Sequence, residues 1–279
     1  MKTLYFDCFS GISGDMVIGA LLDVVGDPVL LKQELKKLSI EEEYEIKWGS
    51  VVKNGITSTK FDVILKGDAG ETHHHDHGHH HGEDHHHHEH DHHHHGHDHH
   101  HNHDDHTHDH HHRAYQDIVE MIESSELSSK VKNMSLSIFK KIGEAEGHIH
   151  GLPLEKVHFH EVGAVDSIID IVGTSILIEQ LGIEKIKSSA IPVGSGRIRI
   201  DHGVYPVPAP ATLEILKGVP IEQSDVRFEL TTPTGAAIVA VLAEEFSTFP
   251  SMEVNAIGYG AGTKTFKDRP NVLRVVIGI

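Results

Sequence analysis

The chain has 279 residues, with 24 Lys and Arg against 42 Asp and Glu and 31 His, for a formal charge of −18. That balance leaves no basic surface for nucleic-acid phosphates, and no run approaches the roughly 18 apolar residues of a membrane span. Cys8 is the one cysteine, which excludes an intrachain disulfide and suits a reducing, cytoplasmic setting.

Thr3 to Phe9 reads as a short buried strand, and Asp7 breaks the apolar run too soon for a signal peptide. The small-residue loop Ser10-Gly11-Ile12-Ser13-Gly14 follows, then a helix from about Asp15 to Gly26 with Met16, Ala20, Leu21 and Val24 at helical spacing. A second short helix is expected over Leu30 to Leu38. From Tyr44 to Leu65 the period falls to two around Asn54-Gly55, the signature of a hairpin with positive φ at its turn.

The composition then changes abruptly. Residues 73 to 112 hold 26 His, seven Asp, two Glu, no Lys or Arg and no apolar side chain; outside them 33 acids face 24 bases, a net of −9. A segment with nothing to bury cannot offset the entropy of ordering, so it is expected to be a disordered insertion. Neutral imidazole binds nickel, copper, zinc and cobalt, and the carboxylates add charge and oxygen donors. His73, His74, His75, His85, His86, His87, His88, His92, His93, His94 and His95 are therefore metal-ligand candidates. A solvated spacer is the bland alternative.

Helical pattern returns at Tyr115 and continues to about His148, with Leu127, Val131, Met134, Ile138, Ile142 and Ala145 in one stripe. A strand is possible over VHFHEVG, then a strongly apolar helix over Asp166 to Leu181, a strand over Ile186 to Val193, and a Gly/Pro loop from Gly194 to Pro210. Helices over Ala211 to Leu216 and Gly235 to Phe246, and strands over Met252 to Tyr259 and Val272 to Ile279, close the chain. The mixture implies α+β or irregular α/β architecture, with helices packed on a mixed sheet. Residues 1–72 and 113–279 would share one core, interrupted by 73–112.

Three places could carry chemistry. If HFHE is extended, His158 and His160 share a face, with Glu161 adjacent and Asp166 and Asp170 one turn apart on the next helix. Such a set suits metal ligation or acid–base work; helix capping by Asp166 and a salt bridge at Asp170 are the structural alternatives. The loop Asp7-Cys8-Phe9-Ser10-Gly11-Ile12-Ser13-Gly14-Asp15 resembles an anion cradle before a helix, although it lacks a P-loop lysine and its two aspartates would better suit a bound metal ion. Cys8 there is expected to be inert packing. Thr232, Thr234 and Gly235 could bind an anion, or Thr234 could simply cap the helix, while Arg197 and Arg199 are candidates for holding phosphate or carboxylate.

The segments YFDCFSGISGDMVIGALLD, VHFHEVGAVDSIIDIVG, PVGSG, HGVYPVPAPAT, TTPTGAA, GYGAGT and PNVLRV resemble, in this order, the nickel-insertion proteins of nickel-pincer cofactor synthesis, the LarC family. A His-rich insertion between hairpin and helix is also typical of it. The resemblance implies an enzyme, a cyclometallase that inserts Ni(II) into pyridinium-3,5-bisthiocarboxylic acid mononucleotide with hydrolysis of CTP held by Mg(II) or Mn(II). Its product serves recipient enzymes such as lactate racemase. In full-length members the CTP site lies in a further C-terminal domain, so it is expected outside these 279 residues: either a separate or frameshifted product supplies that half, or this chain is the shorter, nickel-holding half. A homo-oligomer is expected, without nucleic acid or membrane among its partners. A nickel store or metallochaperone with no chemistry of its own is the alternative. A hydrolase would leave the histidine run unexplained.

Overall fold

The computed structural model describes residues 1–25, 28–66, 113–159, 164–200 and 203–279. The hairpin is the most local of its elements. β2 (Tyr44–Lys53) and β3 (Ile56–Leu65) pair in register from Tyr44↔Leu65 to Lys53↔Ile56, and Asn54 (φ 47°) with Gly55 (φ 84°) supplies the two left-handed residues of the turn.

Chain order begins with β1 (Thr3–Asp7), α1 (Gly14–Val25) and α2 (Val29–Leu35), the last continued by a 3₁₀ turn over Lys36–Leu38 before the hairpin. After the insertion come α3 (Tyr115–Ser124), α4 (Ser129–His150), α5 (Val165–Gln180), β4 (Lys185–Ser188) and β5 (Ile191–Pro192). A small ribbon follows, β6 (Arg197–Ile200) with β7 (Gly203–Pro206), then α6 (Pro210–Ile215) and β8 (Ile221–Glu222). The last elements are α7 (Pro233–Leu242), β9 (Glu245–Phe246), β10 (Val254–Ala261) and β11 (Val272–Gly278).

Seven strands form one mixed sheet in the order β2-β3-β10-β11-β1-β4-β9, with β5-β8 and β6-β7 as separate pairs. β1 is antiparallel to β11 and parallel to β4. Alternation divides its side chains: Leu4 and Phe6 join Leu273, Val275 and Ile277 of β11 in the main core, whereas Tyr5 meets Phe249 edge-on at 5.3 Å. α1 packs on β3 and β10 as well as on α5, and α4 packs on α5, α6 and α7. The expected mixed sheet with packed helices is therefore what the chain forms, and no described helix is long and apolar enough to cross a membrane.

Five expectations need correction. The single helix from Tyr115 is two, because Ser125 turns extended and Ser128 caps a new start, its hydroxyl accepting the Val131 N–H at 3.1 Å. The strand over Ile186–Val193 divides into β4 and β5, and the Gly194–Pro210 loop contains the β6–β7 ribbon. The last long helix stops at Leu242, leaving Glu245–Phe246 to pair with β4. Its N-cap is Thr232 rather than Thr234.

The two ends of the insertion meet in the fold. Glu43 takes the Lys66 N–H on its carbonyl at 2.8 Å and Arg113 Nη2 on its carboxylate at 2.6 and 2.8 Å. Residues 67–112 lie outside the described residues, and with them the expected disorder of the insertion and the histidine candidates from His73 to His95.

Candidate functional site

Ligand sites in open sheets gather at the carboxyl ends of strands. From the carboxyl end of β1, residues 8–13 run into α1 and are held on both sides. Cys8 N–H donates to Ser189 Oγ at 3.0 Å, and Ser10 Oγ donates to Pro270 O at 2.7 Å. Ile12 N–H donates to Leu230 O at 3.0 Å, and Ile12 O accepts the Thr232 N–H at 3.1 Å. Gly11 is required here: its φ is +93°, and a methyl group on it would lie 1.9 Å from Leu230 O. Cys8 is fully buried and burial pushes its thiol up to about 12, so it is packing.

Asp170, on α5, lies directly over the start of α1. A methyl group at Gly14 would fall 2.4 Å from Asp170 Oδ2, and the carboxylate accepts the Asp15 backbone N–H. The place an anion would take at that helix end is thus already filled by a carboxylate of the chain. Its other oxygen, Oδ1, is buried without a hydrogen-bond partner. Burial first, then the charges of Asp15 and Asp166, raise the Asp170 carboxyl well above the usual range, against the opposing pull of Lys60 and the Asp15 N–H. Among the described residues Asp170 makes none of the salt bridges considered for it. Asp166 is exposed in the first turn of α5 and accepts the Ser167 N–H at 2.8 Å, but the cap position is Ala164.

Asp15 and Asp7 face different cations. Lys60 Nζ on β3 reaches Asp15 Oδ2 at 2.7 Å and Asp62 Oδ1 at 2.8 Å, while Ser13 Oγ donates to the other Asp15 oxygen. Burial alone would lower the Lys60 ammonium; the two aspartates outweigh it and raise it. Asp7 pairs across the sheet with Arg274, whose guanidinium also lies 5.9 Å from the Phe9 ring. The expected aspartate pair for one metal ion is therefore not assembled, and no group of three or more His, Cys, Asp or Glu among the described residues could hold a metal ion.

His158 is exposed between buried Val157 and Phe159, as an extended segment requires. It makes an isolated antiparallel bridge with Ala114, and the adjacent Tyr115 N–H donates to Val157 O at 3.0 Å. His160 and Glu161 lie outside the described residues. Thr232 Oγ1 accepts the Gly235 N–H at 3.2 Å, Thr234 is buried, and Gly235 is packed on Ile12 O, which leaves that helix end capped from within. Arg197 and Arg199 stand exposed on β6. Lys60 escaped sequence reasoning; it belongs to no motif, and only tertiary pairing brings it to Asp15.

Across residues 4–278 the chain matches the family model described as nickel insertion protein, and it belongs to that family. It is 52% identical over 278 residues to the pyridinium-3,5-bisthiocarboxylic acid mononucleotide nickel insertion protein of Geobacillus kaustophilus, covering 100% of this chain and 60% of the relative. Proteins of the same description from Staphylococcus epidermidis (44% over 275 residues, 99% of this chain and 59% of the relative) and Clostridium acetobutylicum (52% over 283 residues, 100% and 64%) are also similar. The chain thus spans about 60% of the length of these curated relatives. No solved structure matches it.

Proposed function

We propose that the chain collects Ni(II) on its histidine run and passes it, by way of His158 and His160, to pyridinium-3,5-bisthiocarboxylic acid mononucleotide, where it is inserted to give the nickel-pincer cofactor. Family membership supports the reaction. The observation that carries the route is the Ala114–His158 bridge: two residues beyond the last imidazole of the run, the backbone is fastened against His158. Glu43 likewise binds Lys66 and Arg113, the described residues on either side of the insertion.

Insertion exchanges a ring hydrogen for nickel. The C–H bond breaks, its electron pair stays on carbon to form the carbon–nickel bond, the two sulfurs bind the metal, and the proton goes to a base. Nickel remains Ni(II). Of Glu161, Asp166 and Asp170, the last best suits the base, because burial and two neighbouring carboxylates raise its affinity for a proton. Lys60 holds Asp15 in place beside it. The loop before α1 does not suit the triphosphate of CTP, since Asp170 and Asp15 already set carboxylates at that helix end.

Mass spectrometry of the precursor after incubation with Ni(II), with and without CTP and Mg(II), tests the reading. A nickel adduct is expected, lost when His158 and His160 are both replaced by Ala while the run keeps its bulk nickel. Undiminished adduct from the double variant would refute the route. Nickel bound to the wild-type chain without any adduct would favour a store or delivery partner.

A further inference from the structure

We infer that Lys60 is a positioning residue for Asp170: by holding Asp15 as a fixed carboxylate, it confines the one proton of this carboxylate pair to Asp170. The role of Asp170 as base rests on the nickel-insertion reading; the place of the proton does not.

Three elements bring the groups together. Asp15 stands in the first turn of α1, Asp170 lies over it from α5 and accepts its backbone N–H, and Lys60 reaches it from β3. The Lys60 side chain is only 15% exposed, and its ammonium has three protons to place. Three acceptors take them: Asp15 Oδ2 at 2.7 Å, Asp62 Oδ1 at 2.8 Å and Phe61 O at 2.8 Å. An ammonium matched donor for donor is held in one place, so its charge is fixed beside Asp15.

The two carboxylates differ in what meets their oxygens. Asp15 accepts at both, Oδ1 from the Ser13 hydroxyl and Oδ2 from Lys60. A proton on Asp15 would weaken both bonds, because a neutral acid is the poorer acceptor. Asp170 accepts the Asp15 N–H, but its Oδ1 is buried with no partner. A bare oxygen out of water is the costlier place for negative charge. Carboxylates this close resist ionising together, so the proton falls to the one that no cation touches. Burial first, then Asp15 and Asp166, push the Asp170 carboxyl up, and the Lys60 charge moderates that rise.

The other helices packed on α5 bring no comparable charge. Of the residues they bury, α2 supplies Leu31 and Leu35, and α7 supplies none that is charged. The one acid that α4 buries, Glu146, lies 3.3 Å from His150. The leading charges at Asp170 are therefore Asp15, Asp166 and Lys60, with Asp62 behind Lys60.

The test is a carbon-13 NMR titration of the full chain, labelled at the aspartate side-chain carboxyls. The Asp170 resonance is the one that Asp170→Asn removes, and in the wild-type chain it should titrate above the ordinary 3.8. Lys60→Met should raise its midpoint by about one pH unit, a tenfold gain in proton affinity. Lys60→Arg keeps the charge and should restore the wild-type value. Asp62→Asn should lower the proton affinity about twofold, because Lys60 then faces Asp15 alone. Asp62 is half exposed, so that variant decides the matter even if K60M does not fold, as circular dichroism will show. The acid limb of the pH profile for insertion should move to higher pH in K60M and return in K60R. A midpoint unmoved in folded K60M or in D62N would overturn the placement of the proton. A midpoint that moves while the insertion profile stays put would overturn the positioning role. Shifts as stated, with no nickel adduct from any chain, would refute the insertion reading and leave the proton on Asp170. Adduct from wild type and folded K60M alike, with the midpoint unmoved, would do the reverse.

Discussion

Replacing Asp170 by Asn separates stability from chemistry at one residue. In the wild-type fold Asp170 Oδ1 is buried with no partner and the carboxylate faces the charges of Asp15 and Asp166. An amide keeps the acceptor for the Asp15 N–H, removes the charge and offers N–H donors to the neighbouring acids. Relieving a buried, unsatisfied polar atom is worth about 1–3 kcal/mol, so D170N should raise the melting temperature at pH 7 by about 4–8 °C for a gain near 2 kcal/mol. The pH dependence has a definite sign. A carboxyl whose folded pKa is raised binds its proton more tightly in the native state than in the unfolded one. Its contribution is therefore present in full below the ordinary value of 3.8 and is lost as pH rises through the raised value. Calorimetric melts from pH 4 upward should show a wild-type decline over that window that is flattened in D170N. The variant should at the same time lose insertion by at least about a hundredfold, the usual scale of general-base catalysis, with nickel binding intact. A D170N chain that is less stable at pH 7, or that keeps the wild-type slope and full insertion, would refute the reasoning.

Gly11→Ala should cost about 2 kcal/mol or more, from the left-handed φ alone and further from contact with Leu230 O; urea unfolding measures it, and an unchanged midpoint would contradict the loop geometry. Excision of residues 73–112 with a short Gly-Ser bridge should leave the fold at least as stable, because Glu43 already draws the two ends together and a shorter loop is slightly cheaper to close. That variant should lose most nickel capacity by equilibrium dialysis yet still insert nickel when the metal is plentiful, and failure at saturating nickel would refute a reservoir role for the run. Cys8, buried and pushed up to about 12, should resist thiol reagents at pH 8 in the native chain and react fully after denaturation; rapid native labelling would show the loop to be open.

Elements whose information is local were legible in the chain itself. Asn54-Gly55 between two alternating runs dictates the hairpin and its register, since few turns satisfy that twist and spacing. Gly182, at φ +62°, ends α5 where the apolar helical pattern stops. The metal-binding character of residues 73–112 follows from composition, because an imidazole needs no fold to be a ligand. Signals that compete at short range were harder to weigh. Ser128 lies inside a stripe that satisfies helical spacing on both sides, and the break shows only in the structure, where Ser125 turns extended and Ser128 caps the next helix. The ribbon at Arg197–Pro206 lacks the sustained alternation of a longer strand and is fixed instead by hydrogen bonds at its base.

What the chain determined by itself is the set of local conformations, the apolar faces and the chemistry of its histidines. Only the tertiary structure decided which charges meet. Lys60 finds Asp15 from 45 residues away, Asp170 covers the start of α1, and Arg227 comes beside Gly196. Partner choice of that kind depends on which strand pairs with which and on how water is excluded. Electrostatic energy rises steeply as water leaves, so the proton affinity of Asp170 is owed first to its burial and only then to its neighbours.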